Sequence, residues 1–178
     1  CLVVWPMPPA RAQTPADWTA PQAISSPDAY GWSPTLTADE SGAVHAFWSG
    51  RPIQDATAPQ AIVYARYEQG QWSPPVEILM SPNGRNALFP RATVDGDGRL
   101  HLLWSSEEGG PFGPLYHAWA PVEDALSPQR WAPPTEIAAG TYQSDMATGP
   151  EGRLHVVYAS VADERGICHI SWQDHGQT

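Results

Sequence analysis

Val94-Asp95-Gly96-Asp97-Gly98-Arg99-Leu100-His101-Leu102-Leu103-Trp104 decides how this chain is read, because the same pattern stands in it twice more. Upstream it reads Ala38-Asp39-Glu40-Ser41-Gly42-Ala43-Val44-His45-Ala46-Phe47-Trp48, and downstream Thr148-Gly149-Pro150-Glu151-Gly152-Arg153-Leu154-His155-Val156-Val157-Tyr158. Gly42, Gly98 and Gly152 lie 56 and 54 residues apart, each with His at +3 and an aromatic at +6. A fixed period of this size marks an array of equal supersecondary units. Each glycine supplies the positive φ of a hairpin turn, and the acid before it caps that turn.

A second phrase recurs at the same period. Asp17-Trp18-Thr19-Ala20-Pro21-Gln22-Ala23-Ile24 returns as Gln71-Trp72-Ser73-Pro74-Pro75-Val76-Glu77-Ile78 and as Arg130-Trp131-Ala132-Pro133-Pro134-Thr135-Glu136-Ile137. Proline removes a ladder donor, so these segments belong at sheet edges. The two phrases parse each repeat into four short strands. The first repeat gives 34–39, 43–49, 61–67 and 72–78; the second gives 90–95, 99–105, 115–119 and 131–137. The third gives 144–148, 153–159 and 166–172. Leu100, Leu102 and Trp104 share one strand face, while His101 and Leu103 share the other, as in a sheet buried on both sides. Radial arrays of four-stranded antiparallel units are β-propeller blades. The expected fold is all-β, with about three blades in residues 17–178, the first half of a six-bladed ring. Such an arc exposes an apolar sheet face at its end and is expected to associate.

Composition agrees. Twenty Pro and fifteen Gly disfavour long helices, and nine Trp supply large core side chains. A net charge of −10, with every basic residue an Arg, repels nucleic acid and anionic lipid. No apolar run reaches the roughly 18 residues of a membrane span. Residues 1–16 read as the end of a secretory signal peptide and a leader, with Ala10-Arg11-Ala12 as the cleavage pattern, so the protein is expected outside the cell. The two cysteines make no disulfide framework. Neither His45, His101 and His155 on separate blades nor Asp95-Gly96-Asp97-Gly98 forms a metal-ligand set, and no cofactor motif occurs. A structural hydrogen-bonding role is expected for the three histidines.

Asp174-His175-Gly176-Gln177-Thr178 is similar to the Asp box of bacterial neuraminidase repeats, and Glu68-Gln69-Gly70-Gln71-Trp72 is a degenerate copy. With the two recurring phrases, the chain resembles the sialidase superfamily over residues 17–178. That resemblance implies hydrolysis of terminal sialic acid by a glycoside hydrolase that holds the substrate carboxylate with arginines. It also implies an Asp acid/base, and a Tyr nucleophile in place of the usual carboxylate. Arginine suits the carboxylate because its planar fork donates two parallel bonds. Aligned on the glycines, Thr35, Arg91 and Asp145 share one position at the start of the inner strand. Asp145 is the candidate catalytic residue; Arg91, Arg85, Trp32 and Tyr142 are the candidate substrate-binding residues. The early inner strand, Tyr30-Gly31-Trp32-Ser33-Pro34, lacks the arginine found there in the family. Two readings stand: an exo-sialidase, or a non-catalytic propeller that binds a glycan or glycoprotein through loop aromatics such as Trp32, Tyr142 and Trp119.

Overall fold

The computed structural model describes residues 18–107, 112–149, 152–161 and 166–172. The signal-peptide segment and the box at 174–178 lie outside them. No helix among the described residues is long and apolar enough to cross a membrane.

The chain forms antiparallel strands throughout. The first blade comprises β1 (Ala29–Ala38), β2 (Val44–Pro52), β3 (Ala61–Glu68), and an outer edge of two short strands that both pair with β3, β4 (Gln71–Trp72) and β5 (Val76–Leu79). The second blade comprises β6 (Ala87–Val94), β7 (Arg99–Ser106), β8 (Gly113–Pro121) and the first part of β9 (Thr135–Thr148). The rest of β9 pairs with β10 (Leu154–Ser160), which pairs with β11 (Gly166–Trp172), to form the third blade. The inner strands β1, β6 and β9 run as neighbours. This is the four-stranded blade architecture of a β-propeller.

Three differences from the sequence reading concern the outer strands. The outer strand at 72–78 is broken after Trp72, because Ser73-Pro74-Pro75 has too few donors to continue the ladder. The outer strand of the second blade starts at Thr135, not at Trp131, and a 3-10 turn over Pro128–Arg130 precedes it. That strand also does not end before 144. It runs on as the inner strand of the third blade, bending at Gly140, whose φ of 59° other residues rarely adopt.

The inner strands also begin earlier than 34 and 90, because pairing continues past a bulge in each. The bulges lie between Trp32 and Thr35 and between Leu88 and Arg91, with Ser33 at φ 51° and Phe89 at φ 54°. The third blade breaks register at the matching place, opposite Tyr158 and Ser160. Non-glycine residues with positive φ store backbone strain, and such strain concentrates at functional sites.

Both faces of the second blade are buried between its neighbours. Phe47, Ile62, Tyr64 and Ile78 of the first blade pack with Leu100, Leu102, Trp104 and Tyr116 of the second. Leu103 and Leu115, on the opposite face of the second blade, pack with Leu154 and Val156 of the third. Trp131 fills the outer part of the first gap, edge-on to Phe47 at 6.1 Å, and its Nε1–H donates to the Ala125 carbonyl at 3.0 Å. Trp72 takes the equivalent place on the first blade, packed with Ala46, Trp48, Val63 and Ala65.

Candidate functional site

The recurring histidines are the first group to assign. His45 is fully buried, with Nε2 3.2 Å from Asp39 Oδ2 and Nδ1 2.7 Å from the Tyr64 hydroxyl. Burial pushes the His45 imidazole below its ordinary value, outweighing the upward pull of Asp39. Burial also works to raise the Asp39 carboxyl, but hydrogen bonds from Ser41, His45 and the Ala43 amide hold it below the usual range. The pair is therefore a neutral imidazole on a carboxylate. Nε2–H donates to Asp39, and Nδ1 accepts the Tyr64 hydroxyl proton, whose loss burial makes harder.

The second blade repeats this chain with one change. His101 Nε2 lies 2.9 Å from Asp95 Oδ2, and Nδ1 lies 3.1 Å from His117 Nε2. Asp95 Oδ1 also accepts the Asp97 and Arg99 amides at 2.9 and 2.8 Å, which ties the hairpin turn to the strand core. Burial, and then the charge of nearby His101, push His117 down to about 4. In the third blade Gly149 replaces the acid, and His155 has moved into the space: a Cβ on Gly149 would lie 2.9 Å from its Nε2. His155 keeps the other bond, 3.1 Å to His169. These are folding devices, as expected from sequence, and no group of three or more metal-ligating side chains occurs among the described residues.

The candidate site lies within the inner strands, just after the bulges. A cavity of about 280 Å³ is lined by Arg91 of β6, by Gln143, Ser144 and Asp145 of β9, by Val157, Tyr158 and Ala159 of β10, and by Ile167. Two of the five sequence-predicted residues, Arg91 and Asp145, thus meet on one wall. The bulges bring them there, since each turns the strand just ahead of the residue. Arg91 Nη1 donates to its neighbour's carbonyl at Pro90 (2.8 Å), and Asp145 Oδ1 accepts the Met146 amide (2.9 Å). Ser144 also contributes to the lining, while its Oγ is itself buried and has no hydrogen-bond partner among the described residues.

Tyr142 stands just before this wall, in an aromatic cluster with Phe89 (5.9 Å) and Phe112 (5.6 Å). Trp32 and Arg85 do not line the cavity. Trp32 packs beside Tyr30 at 5.6 Å with the Arg51 guanidinium 5.4 Å from its ring centroid. Arg85 is exposed on the loop before β6, its amide donating to Asn83 Oδ1. Trp119 is on β8 rather than a loop, with Arg99 5.1 Å from its ring. Sequence reasoning missed Ser144 and Tyr158. Nothing marks Ser144 in the sequence, while Tyr158 was visible only as the third aromatic at +6 from the repeat glycine.

A larger, apolar cavity of about 680 Å³ separates the second and third blades at their outer side. His117, Trp119, Ala132 and Ile137 line one wall, and Leu154, Val156, Ile170 and Trp172 the other. Trp172 packs against the His101 and His117 rings at 6.2 and 5.8 Å.

No family model matches the chain, and no curated protein matches it in sequence. Solved structures do match its fold. A Dyadobacter fermentans protein of unknown function aligns over 86% of this chain and 54% of its own, with a TM-score of 0.65 and 13% identity. An endo-arabinase from Bacteroides thetaiotaomicron aligns over 86% and 60%, with a TM-score of 0.59 and 16% identity. A Hadza microbial sialidase aligns over 83% and 36%, with a TM-score of 0.57 and 16% identity. The chain therefore spans between about a third and three fifths of these proteins, and what it shares with them is the propeller fold found among glycoside hydrolases.

Proposed function

We propose that this chain is a carbohydrate-binding propeller region of an exported, sialidase-like protein, with the cavity between β6 and β9 as the seat of a terminal sugar. The observation that carries this reading is the shared wall of Arg91, Ser144 and Asp145 around about 280 Å³, room for roughly one monosaccharide. Arg91 offers a planar pair of donors to the carboxylate of an acidic sugar. Asp145 takes a ring hydroxyl, and the Tyr142 cluster provides an apolar face beside it. Fold likeness to a sialidase and an arabinase supports a glycan ligand but does not choose the sugar.

Calorimetry with sialyllactose, lactose and an arabino-oligosaccharide tests the reading. Sialyllactose should bind, and Arg91→Ala should weaken it at least tenfold, a loss of about 1.4 kcal/mol or more, while leaving any lactose binding unchanged. Equal affinity for sialyllactose and lactose refutes the assignment of Arg91. A second reading, hydrolysis, rests on the Asp145 carboxylate standing in the same cavity as Arg91 and Tyr158. A fluorogenic sialoside assay of the wild type and Asp145→Asn tests it. Turnover lost in the variant supports catalysis, and no turnover in the wild type leaves a binding protein.

A further inference from the structure

The loop that joins the first two blades, between β5 and β6, holds both asparagines of the chain, Asn83 and Asn86. Ser81-Pro82-Asn83-Gly84 is a turn, closed by the Gly84 N–H donating to the Ser81 carbonyl at 2.9 Å. Residues 82–85 are exposed, and a Cβ on Gly84 would meet nothing within 4 Å. Asn83 is therefore followed by an amide nitrogen that no side chain of its own residue and no neighbour shields. Asn86 is followed by Ala87, which is fully buried and whose N–H donates to the Gln60 carbonyl at 2.8 Å.

The Cγ of an asparagine and the next amide nitrogen are tethered through the same residue, so attack of one on the other has the rate advantage of reactants already held together. We propose that Asn83 is a self-modification site, converted to aspartate or isoaspartate in the folded protein each time the 81–84 turn opens for long enough. The Gly84 nitrogen gives up its proton and attacks Asn83 Cγ. The bond from Cγ to Nδ2 then breaks, and Nδ2 leaves as ammonia with a proton from solvent. Water opens the resulting cyclic imide. Opening at Cγ gives aspartate, and opening at the Asn83 main-chain carbonyl carbon gives isoaspartate.

The closed turn restrains this reaction. The Gly84 N–H is directed at Ser81, and the carboxamide is tied to the end of β7. Asn83 Oδ1 accepts the Ser106 hydroxyl at 2.9 Å and the Arg85 amide at 3.1 Å, while Nδ2 donates to the Glu107 carbonyl at 3.4 Å. Ring closure needs the turn bond and these tethers to break together, which is a local opening of an exposed loop and not unfolding of a blade. The product does not restore what is lost. A carboxylate at position 83 has no proton to donate to the Glu107 carbonyl, and it adds a negative charge near the Glu107 side chain that holds Asn86 Nδ2 at 2.7 Å. Isoaspartate also lengthens the main chain between the blades. Modification therefore loosens the seam that these bonds close.

Incubation of the intact chain at mildly alkaline pH, followed by peptide mapping with electron-transfer fragmentation, tests this. The wild type should gain the mass of an amide-to-acid exchange at Asn83 and keep Asn86 intact, and the chain unfolded in urea should convert faster. Gly84→Ala should slow conversion about tenfold, because the methyl group crowds the attacking nitrogen. Ser106→Ala, with its tryptophan fluorescence checked as native, should speed it several-fold by releasing Oδ1. Asn83→Asp should raise amide exchange across residues 80–86. A folded chain that leaves Asn83 intact while the urea-unfolded chain converts overturns the proposal. Folded and unfolded chains converting at one rate, or Asn86 converting as fast as Asn83, overturns it as well, since the turn would then set nothing.

Discussion

His117→Tyr is the substitution that the repeat itself suggests, because the first blade carries Tyr64 at this position. There the hydroxyl donates to His45 at 2.7 Å, so tyrosine keeps both a ring and a donor for His101 while removing a titrating group. In the folded protein His117 is held down to about 4, against an ordinary 6.5. As pH falls, the unfolded chain therefore takes up this proton first. The stability that His117 contributes is full above about pH 6.5 and is lost progressively toward about pH 4. One pH unit across that window is worth about 1.4 kcal/mol, so the loss from this group approaches ~3 kcal/mol. His45 is also held below its ordinary value, but it is present in both proteins and cancels in the comparison. Asp39 and Asp95, held low, lose their contribution only at lower pH, below the carboxylate range. Urea unfolding followed by tryptophan fluorescence, at several values between about pH 7 and pH 4, measures the difference. The wild type should lose about 2–3 kcal/mol more than His117→Tyr across the window. Parallel pH profiles for the two proteins would show that His117 is not held neutral by its setting.

The turn acids and the plug give further tests. Asp95→Ala removes the acceptor for two turn amides and leaves His101 Nε2 without its carboxylate, which should cost about 3 kcal/mol by the same urea assay. Trp131→Ala empties the outer part of the first gap and deletes the bond to Ala125, and about 3–5 kcal/mol should be lost. A loss under about 1 kcal/mol would mean that the gap collapses around the missing indole.

Backbone repetition was plain in the sequence, and side-chain direction was not. The spacing of Gly42, Gly98 and Gly152 located the turn between the first two strands of each blade, each glycine with φ between 70° and 84°. The alternation at 100–104 announced a strand buried on both faces, and all five of those residues are buried. Aligning the repeats also placed Arg91 and Asp145 at one position, and both line one cavity. The same alignment could not show that Trp32 would turn to Tyr30 and Arg51, since equal backbone positions do not fix rotamers. Nor could it show the bulges. Ser33 and Phe89 adopt positive φ without being glycine, so no residue type marks the strain that aims Arg91. Loss of the turn acid in the third blade was visible as Gly149, but that His155 would fill its space is a packing result.

β9 spans the outer edge of one blade and the inner position of the next without a break, whereas β5 and β6 are separate strands joined by a loop. A pull or a local melt at the inner edge of the third blade is therefore transmitted along one hydrogen-bonded rod to the outer edge of the second. By this backbone continuity we expect the second and third blades to open together, and the first blade to part from them at the loop between β5 and β6 against the packing around Phe47 and Trp131. Amide exchange should sort the chain into these two classes of protection, with the dividing line at 80–86 rather than at the repeat boundary near residue 140.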